Sequence, residues 1–347
     1  MNLLMKRIAL PIGTGLVSGT LSVFFGLLGM GGVLAFSFPN IFSTPAIRFI
    51  DPILWRILLH LVLVSGFSFG IWSILRRQRV FPALIGLVLV GVATLLGGSR
   101  IPLNGVIDSA YSFSLDLFLL NVLFYTVIFT PLERLWPLHP EQKVIRPEFW
   151  KDMGYFLLNA GCIQAIIFLV ITPVRILFVS WQGNVFHAWL IGSPFIIQFL
   201  IAFILGDFMT YWVHRAFHSW KWLWPFHAVH HSATRMDWLA GYRIDLVDNL
   251  FMRIAQFIPL YVLGFPVDVM YLYLFVITVN ATFIHSNVRW SSPWLRYVIA
   301  TPFFHHWHHA LEEEARDKNF SVHSPLFDWI FGTLHMPKKN WPKSYGL

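Results

Sequence analysis

The chain has 347 residues, of which 56% are hydrophobic, 17% aromatic and only 12% charged, and its mean hydropathy is +0.63. An ordinary soluble domain carries roughly twice that share of charge, so the composition excludes one and leaves an integral membrane protein. The single cysteine, Cys162, excludes an internal disulfide and any CxxC metal site, and the net charge of +8 comes without a basic helix or aromatic–basic stripe, so loops beside a membrane account for it better than nucleic acid does.

In chain order, apolar segments suited to crossing a bilayer run at about 8–36, 52–75, 81–98, 116–132, 153–175 and 190–212. The first follows Lys6 and Arg7, as in a signal peptide, but its apolar run is too long and no small-residue cleavage site closes it, so it reads as an anchor. Residues 1–132 contain no motif tied to chemistry, and the polar stretch 133–152 is the best candidate boundary. If each segment crosses once, Lys6, Arg7, Arg76, Arg77, Arg79, Arg134, Lys143, Arg146 and Lys151 share one side, against Arg48, Arg100 and Arg175 on the other. The positive-inside rule then places both termini and the histidine-rich part in the cytoplasm. Residues 246–284 hold two further apolar runs meeting at Gly264 to Pro266. They predict a helical hairpin that returns to its starting side, with Asp248 and Arg253 making the first arm partly interfacial. The tail 338–347, with Lys338, Lys339 and Lys343 among aromatics, reads as a membrane-surface anchor. The expected fold is all-α: a multi-pass transmembrane helical bundle with a cytoplasmic His-rich metal-binding cap.

Ten of the fifteen histidines fall between 214 and 309. In "GDFMTYWVHRAFH", His214 and His218 lie one helical turn apart, on the same face as Asp207 and Tyr211, which are placed to buttress them. Taken alone, such a pair favours a structural or interfacial role. In "FHAVHH", His227, His230 and His231 again share a face, after Pro225. The same HxxHH spacing recurs as His305, His308 and His309, after a Thr301–Pro302 pair that reads as N-cap and first helical residue. His306 falls off that face and reads as a polar neighbour. Eight imidazoles at matched spacing can hold two metal ions with open positions. Neutral imidazole suits iron, zinc, copper and nickel, and without thiolates a cysteine-type structural zinc site is excluded. Beside a bilayer that delivers hydrocarbon, the redox activity of iron favours two irons that bind O2. Two other readings remain: a transition-metal transporter or sensor using the same clusters, and a scaffold with a structural metal. Transport would favour ligands near the middle of the spans.

The stretches "DFMTYWVHRAFH", "LWPFHAVHHS", "TPFFHHWHH" and "DKNFSVHSPLFDWIFGT" resemble the sterol desaturase and fatty acid hydroxylase superfamily of membrane di-iron enzymes. The resemblance covers roughly residues 150–337 and sets the domain at 153–337. It implies a centre of two non-haem Fe ions ligated by His214, His218, His227, His230, His231, His305, His308 and His309, and O2-dependent hydroxylation or desaturation of a membrane lipid. It implies electrons from NAD(P)H through a separate carrier, a cytochrome b5-like protein or a ferredoxin with its reductase. His285, in "FIHSN", matches a histidine that family members carry between the second and third boxes, and Asn319 matches the Asn after the third. The chain departs from the pattern at "YRIDLVD", where Asp245 stands in place of a histidine; a carboxylate there can bind iron or accept a ligand's N–H.

Overall fold

The computed structural model describes residues 16–43, 51–75, 80–101, 115–178, 185–290, 292, 294–338 and 340–347. Lys6, Arg7, Arg48 and the 76–79 loop, on which the expected orientation partly rests, lie outside the described residues. The chain forms two compact units, divided between Phe124 and Tyr125.

The first unit is built on α1 (Leu16–Ser37), α2 (Pro52–Leu75) and α3 (Val80–Leu95), all packed on one another. Small residues permit the close approach, as they do where van der Waals contact drives helix association in lipid. A Cβ added at Gly86 would lie 2.5 Å from the Ser22 carbonyl carbon, and Ser22 Oγ donates across to the Gly66 carbonyl at 2.8 Å.

The second unit contains the histidines. After α4 (Leu115–Leu135), whose last turns belong to it, come α5 (Phe149–Phe178), α6 (Val185–Gly192), α7 (Phe195–Ser219), α8 (Trp224–His231), α9 (Leu246–Val262), α10 (Val267–His285), α11 (Pro302–His308) and α12 (Leu326–Ile330). The expected hairpin is present as α9 and α10, joined over 263–266, and both arms pack on α7. The turn depends on Gly264, whose φ of +73° disfavours a side chain and whose added Cβ would collide with His187 at 2.4 Å. The shared core is Leu190, Ala202, Phe257, Leu260, Val269 and Ile277 with neighbours. On the far face of α9, Asn159 of α5 donates to the Ile244 carbonyl at 2.9 Å and accepts from Asn249 at 2.7 Å.

Among the described residues, six helices are long and apolar enough to cross a membrane: Val17–Ser37, Pro52–Leu75, Val80–Arg100, Phe118–Leu135, Phe195–Ser219 and Val267–His285. The expected 153–175 lies within α5, where several side chains fall outside the described residues, and the second hairpin arm is a further long apolar helix. Two local expectations are corrected. Asp248 is not interfacial but 2% exposed, inside the fold. The tail does not spread on a surface, because its aromatics turn inward onto α11. Trp341 packs edge-on against Phe303 at 4.9 Å, Asn340 accepts from Trp307 Nε1 at 3.0 Å, and the Tyr345 hydroxyl meets His306 Nδ1 at 3.0 Å.

Candidate metal centre

Two short helices and two helix ends deliver the imidazoles. His214 and His218 occupy the last two turns of α7. Pro225 opens α8, which carries His227, His230 and His231. Thr301 caps α11 by accepting from the Phe304 amide, and this helix carries His305 and His308 before ending at His309. His285 is the final residue of α10.

These rings sort into two groups whose potential ligand atoms lie within 4.8 Å of one another: His214, His218, His227, His231 and His308 in one, and His230, His285, His305 and His309 in the other. The two HxxHH helices are split in opposite senses. α8 sends the i, i+4 pair His227 and His231 to the first group and His230 to the second. α11 sends His305 and His309 to the second and His308 to the first. The adjacent rings His230 and His231, and likewise His308 and His309, therefore belong to different groups.

Hydrogen bonds fix which nitrogen each ring offers. A carbonyl or carboxylate oxygen can only accept, so a neutral ring bonded to one through Nδ1 carries its proton there and exposes a lone pair at Nε2. His214 Nδ1 donates to the Phe320 carbonyl at 2.5 Å and His308 Nδ1 to that of Lys318 at 2.7 Å. His230 Nδ1 donates to Arg243 at 3.2 Å, His285 Nδ1 to Ala281 at 2.6 Å, and His227 Nδ1 to the Asp248 carboxylate at 2.8 Å. The exposed lone pairs then face one another: His214 and His227 Nε2 are 2.9 Å apart, and His230 and His285 Nε2 are 3.1 Å apart. Between two neutral acceptors that contact is repulsive unless a cation lies between them. Imidazoles bound at about 2.1 Å to one ion, at right angles, stand roughly 3 Å apart. His218 Nε2 and His308 Nε2 are also buried without a hydrogen-bond partner. The donor set fits two transition-metal ions.

Burial pushes the pKa of His227, His230, His231, His305, His308 and His309 well below the ordinary 6.5, with neighbouring rings adding to the effect in each case. Metal binding requires that neutral form. His306 is pushed down to about 3, again mainly by burial. The protein freed of metal is accordingly expected to lose stability as pH falls below 6.5. Those seven rings take up protons when unfolded but not when folded, so stability falls as pH drops below the unfolded value. Asp248, pushed up to about 8 by burial, works in the opposite sense by a single proton. Unfolding midpoints in detergent, measured from neutral to mildly acidic pH, check this; a flat profile would refute it.

The other expected residues take different places. Asp245 lies outside both groups; it is the N-cap of α9 and accepts from the Val247 amide at 2.8 Å. Asp207 and Tyr211 touch no ring of either group in the contacts they make. Asp207 accepts from His323 Nδ1 at 2.9 Å and from the amides of His323 and Ser324, while the Tyr211 hydroxyl meets Thr333 Oγ1 at 3.0 Å. Asn319 sits at a bend with φ +59°. Its amide donates to the carbonyls of Phe304 and His335, which holds in place the flanking carbonyls of Lys318 and Phe320 that orient His308 and His214. His306 joins neither group; it is bonded to Tyr345 and, through Nε2, to the Ser286 carbonyl at 3.1 Å. Two carboxylates escaped the sequence reading. Asp248 supports His227, and Asp317, 61% exposed in its side chain, lies 3.3 Å from His218 Nδ1.

Comparison with known proteins adds a second line of evidence. A family model described as "Fatty acid hydroxylase" matches residues 199–333, a stretch that contains all nine imidazoles of the two groups. Ornithine lipid hydroxylase OlsE of Rhizobium tropici is 28% identical over 251 residues, covering 70% of this chain and 76% of that protein. Alkylglycerol monooxygenase of Homo sapiens is 29% identical over 151 residues, covering 42% and 32% respectively. Methylsterol monooxygenase 2-2 of Arabidopsis thaliana is 30% identical over 139 residues, covering 39% and 52%. The chain thus spans about three quarters of the first relative but only a third to a half of the other two. No solved structure matches.

Proposed function

The chain belongs to the sterol desaturase and fatty acid hydroxylase superfamily, and from that membership we propose that it is a membrane-bound, non-haem di-iron oxidoreductase that hydroxylates or desaturates a lipid. The observation that carries the reading is the convergence of imidazole lone pairs in two adjoining groups at the ends of long apolar helices. The proposed ligands are His214, His218, His227, His231 and His308 for one ion, and His230, His285, His305 and His309 for the other. Two irons held there supply the redox chemistry that activates O2, with electrons from NAD(P)H through a separate carrier protein.

The chain's own share is to hold the rings neutral and oriented, and to keep water out. The Nδ1–H donors to Phe320, Lys318, Arg243, Ala281 and Asp248 lock each ring with Nε2 inward, as outer partners of metal-bound histidines do elsewhere. All nine rings but His218 are buried, which protects a reactive centre from solvent. Substrate arrives from the bilayer, since α7 and α10 carry the centre at the ends of apolar spans. A polar lipid with acyl chains is favoured over a sterol, because the ornithine lipid hydroxylase aligns along 70% of the chain and the methylsterol monooxygenase along 39%. The loop basic residues favour a cytoplasmic centre. The catalytic part is assigned to 153–337, with the role of 1–132 left open.

The test is metal analysis of the purified protein together with mass spectrometry of lipids from cells with and without it. About two irons per chain are expected, with lipids heavier by one oxygen atom or lighter by two hydrogens only where the protein is present. Zinc alone, with unchanged lipids, would refute the proposal and favour a structural or transported metal.

A further inference from the structure

One group of buried charges lies outside the imidazole cluster and is used by nothing described so far. Arg146 and Asp152, from the polar stretch before α5 and its first turn, meet Asp237 and Arg243 from the loop between α8 and α9; these four are 2%, 0%, 7% and 0% exposed. Arg243 Nε donates to Asp152, and its Nη1 reaches Glu148 Oε1 at 3.1 Å and the Ser232 carbonyl at 3.0 Å. Arg146 donates to the other oxygen of Asp152 and takes both oxygens of Asp237, at 2.6 and 2.8 Å. Asp237 also accepts from the Ala240 amide at 2.9 Å. Two guanidinium groups thus grip both ends of the short loop 237–243.

That loop ends in the carbonyl that orients His230. The other backbone acceptors are held by different means. Ala281 lies inside α10. Lys318 and Phe320 flank Asn319, and Asp328 accepts the Phe320 amide at 2.8 Å. Arg243 follows a single 3-10 turn at non-helical dihedrals, so regular structure does not fix its carbonyl. What anchors the residue is its amide, which donates to the Ala240 carbonyl at 3.0 Å, and the buried contacts of its side chain. Burying such a network seldom stabilises a fold relative to apolar packing of the same volume.

We propose that Arg243, clamped by Asp152 and Glu148, is a positioning residue for the four-imidazole group: it holds its carbonyl where only the His230 ring with Nε2 facing the group can donate to it. The inference rests on the two-ion reading above. Cobalt(II) titration of the full chain in detergent, under chelator competition after metal removal, tests both. Wild-type protein is expected to bind in two phases, with His305→Ala removing one and His308→Ala the other. Arg243→Lys keeps the charge but loses the fork. It should weaken the His305-dependent phase by about 10–100-fold, the usual effect of losing an outer partner, and leave the His308-dependent phase unchanged. Asp152→Asn, which takes away the partner rather than the arginine, should give the same split if the lysine variant does not fold. Leu260→Ala, which cuts into the apolar core without touching a ring, should leave both phases intact. Equal weakening of both phases by Arg243→Lys or Asp152→Asn, or of neither, would overturn the inference while leaving the two-ion reading in place. A single wild-type phase would overturn that reading and the inference with it.

Discussion

Replacing His230 by alanine is expected to leave the protein with about one metal ion instead of two and to reduce turnover by ~10³-fold or more, because groups that act as a unit fail together. The ring is 6% exposed. Its Nε2 stands 3.1 Å from that of His285, which in turn lies 2.9 Å from His305. Alanine removes one of four donors and strands the Arg243 carbonyl. The five-imidazole group keeps every member. A sharper contrast comes from His306, which lies in the third histidine cluster, is fully buried and has both nitrogens committed to Tyr345 and the Ser286 carbonyl. His306→Ala is expected to retain both ions and lose only about 1–3 kcal/mol of stability from the partners left unpaired. Metal stoichiometry and turnover of the two variants, measured side by side, decide the matter. Full activity in His230→Ala, or metal loss in His306→Ala, would show that the rings have been sorted wrongly.

That sorting marks where the sequence stops being readable. Spacings of three and four residues identify helical faces, and so His214, His218, the two HxxHH runs and His285 could be singled out as one constellation. Which ring joins which ion could not be read, because a face wide enough for i, i+3 and i+4 spans two binding directions, and only the crossing of α8 and α11 decides between them. The hairpin turn was legible from Gly264 and Pro266, since a left-handed residue followed by proline ends one helix and permits another. Asp245 was weighed as a ligand from a family pattern, whereas "DLVD" also reads as a cap followed by an acidic third residue, the arrangement of a capping box. The structure uses its first half literally and turns its second half inward. A charged residue in an apolar arm had suggested an interface for Asp248, because water is its cheapest neighbour. A buried imidazole donor is the alternative, and it comes from a helix 21 residues away in sequence. The tail misled for the same reason: tryptophan and tyrosine beside lysines fit a membrane surface as well as they fit the ring packing of Trp341 and the hydrogen bond of Tyr345 on α11.

Asp248 yields the second large effect. Among the described residues it is the only buried carboxylate that accepts from a ring of either metal group; the other carboxylate in such contact, Asp317, is largely exposed. Backbone carbonyls orient four of the rings, and no substitution removes them even where one can shift them; the orientation of His227 depends directly on one side chain. A cation at His227 Nε2 favours the ionised carboxylate, which then accepts from Nδ1–H and raises the basicity of the ring. Asp248→Leu is therefore expected to weaken metal binding by the five-imidazole group by about 10–100-fold while the four-imidazole group binds as before. Asp248→Asn should be intermediate. Its amide can still accept through oxygen, yet it can also present NH2, which would bond the opposite tautomer and place the ring proton on the ligand nitrogen. Asp248→Glu restores the charge with one extra methylene and should recover part of the affinity. Chelator-competition titrations of the three variants give the ranking directly. If leucine binds as tightly as aspartate, the carboxylate is only filling space beside His227, and the orientation of that ring must come from packing against Phe217, whose ring lies 5.8 Å away.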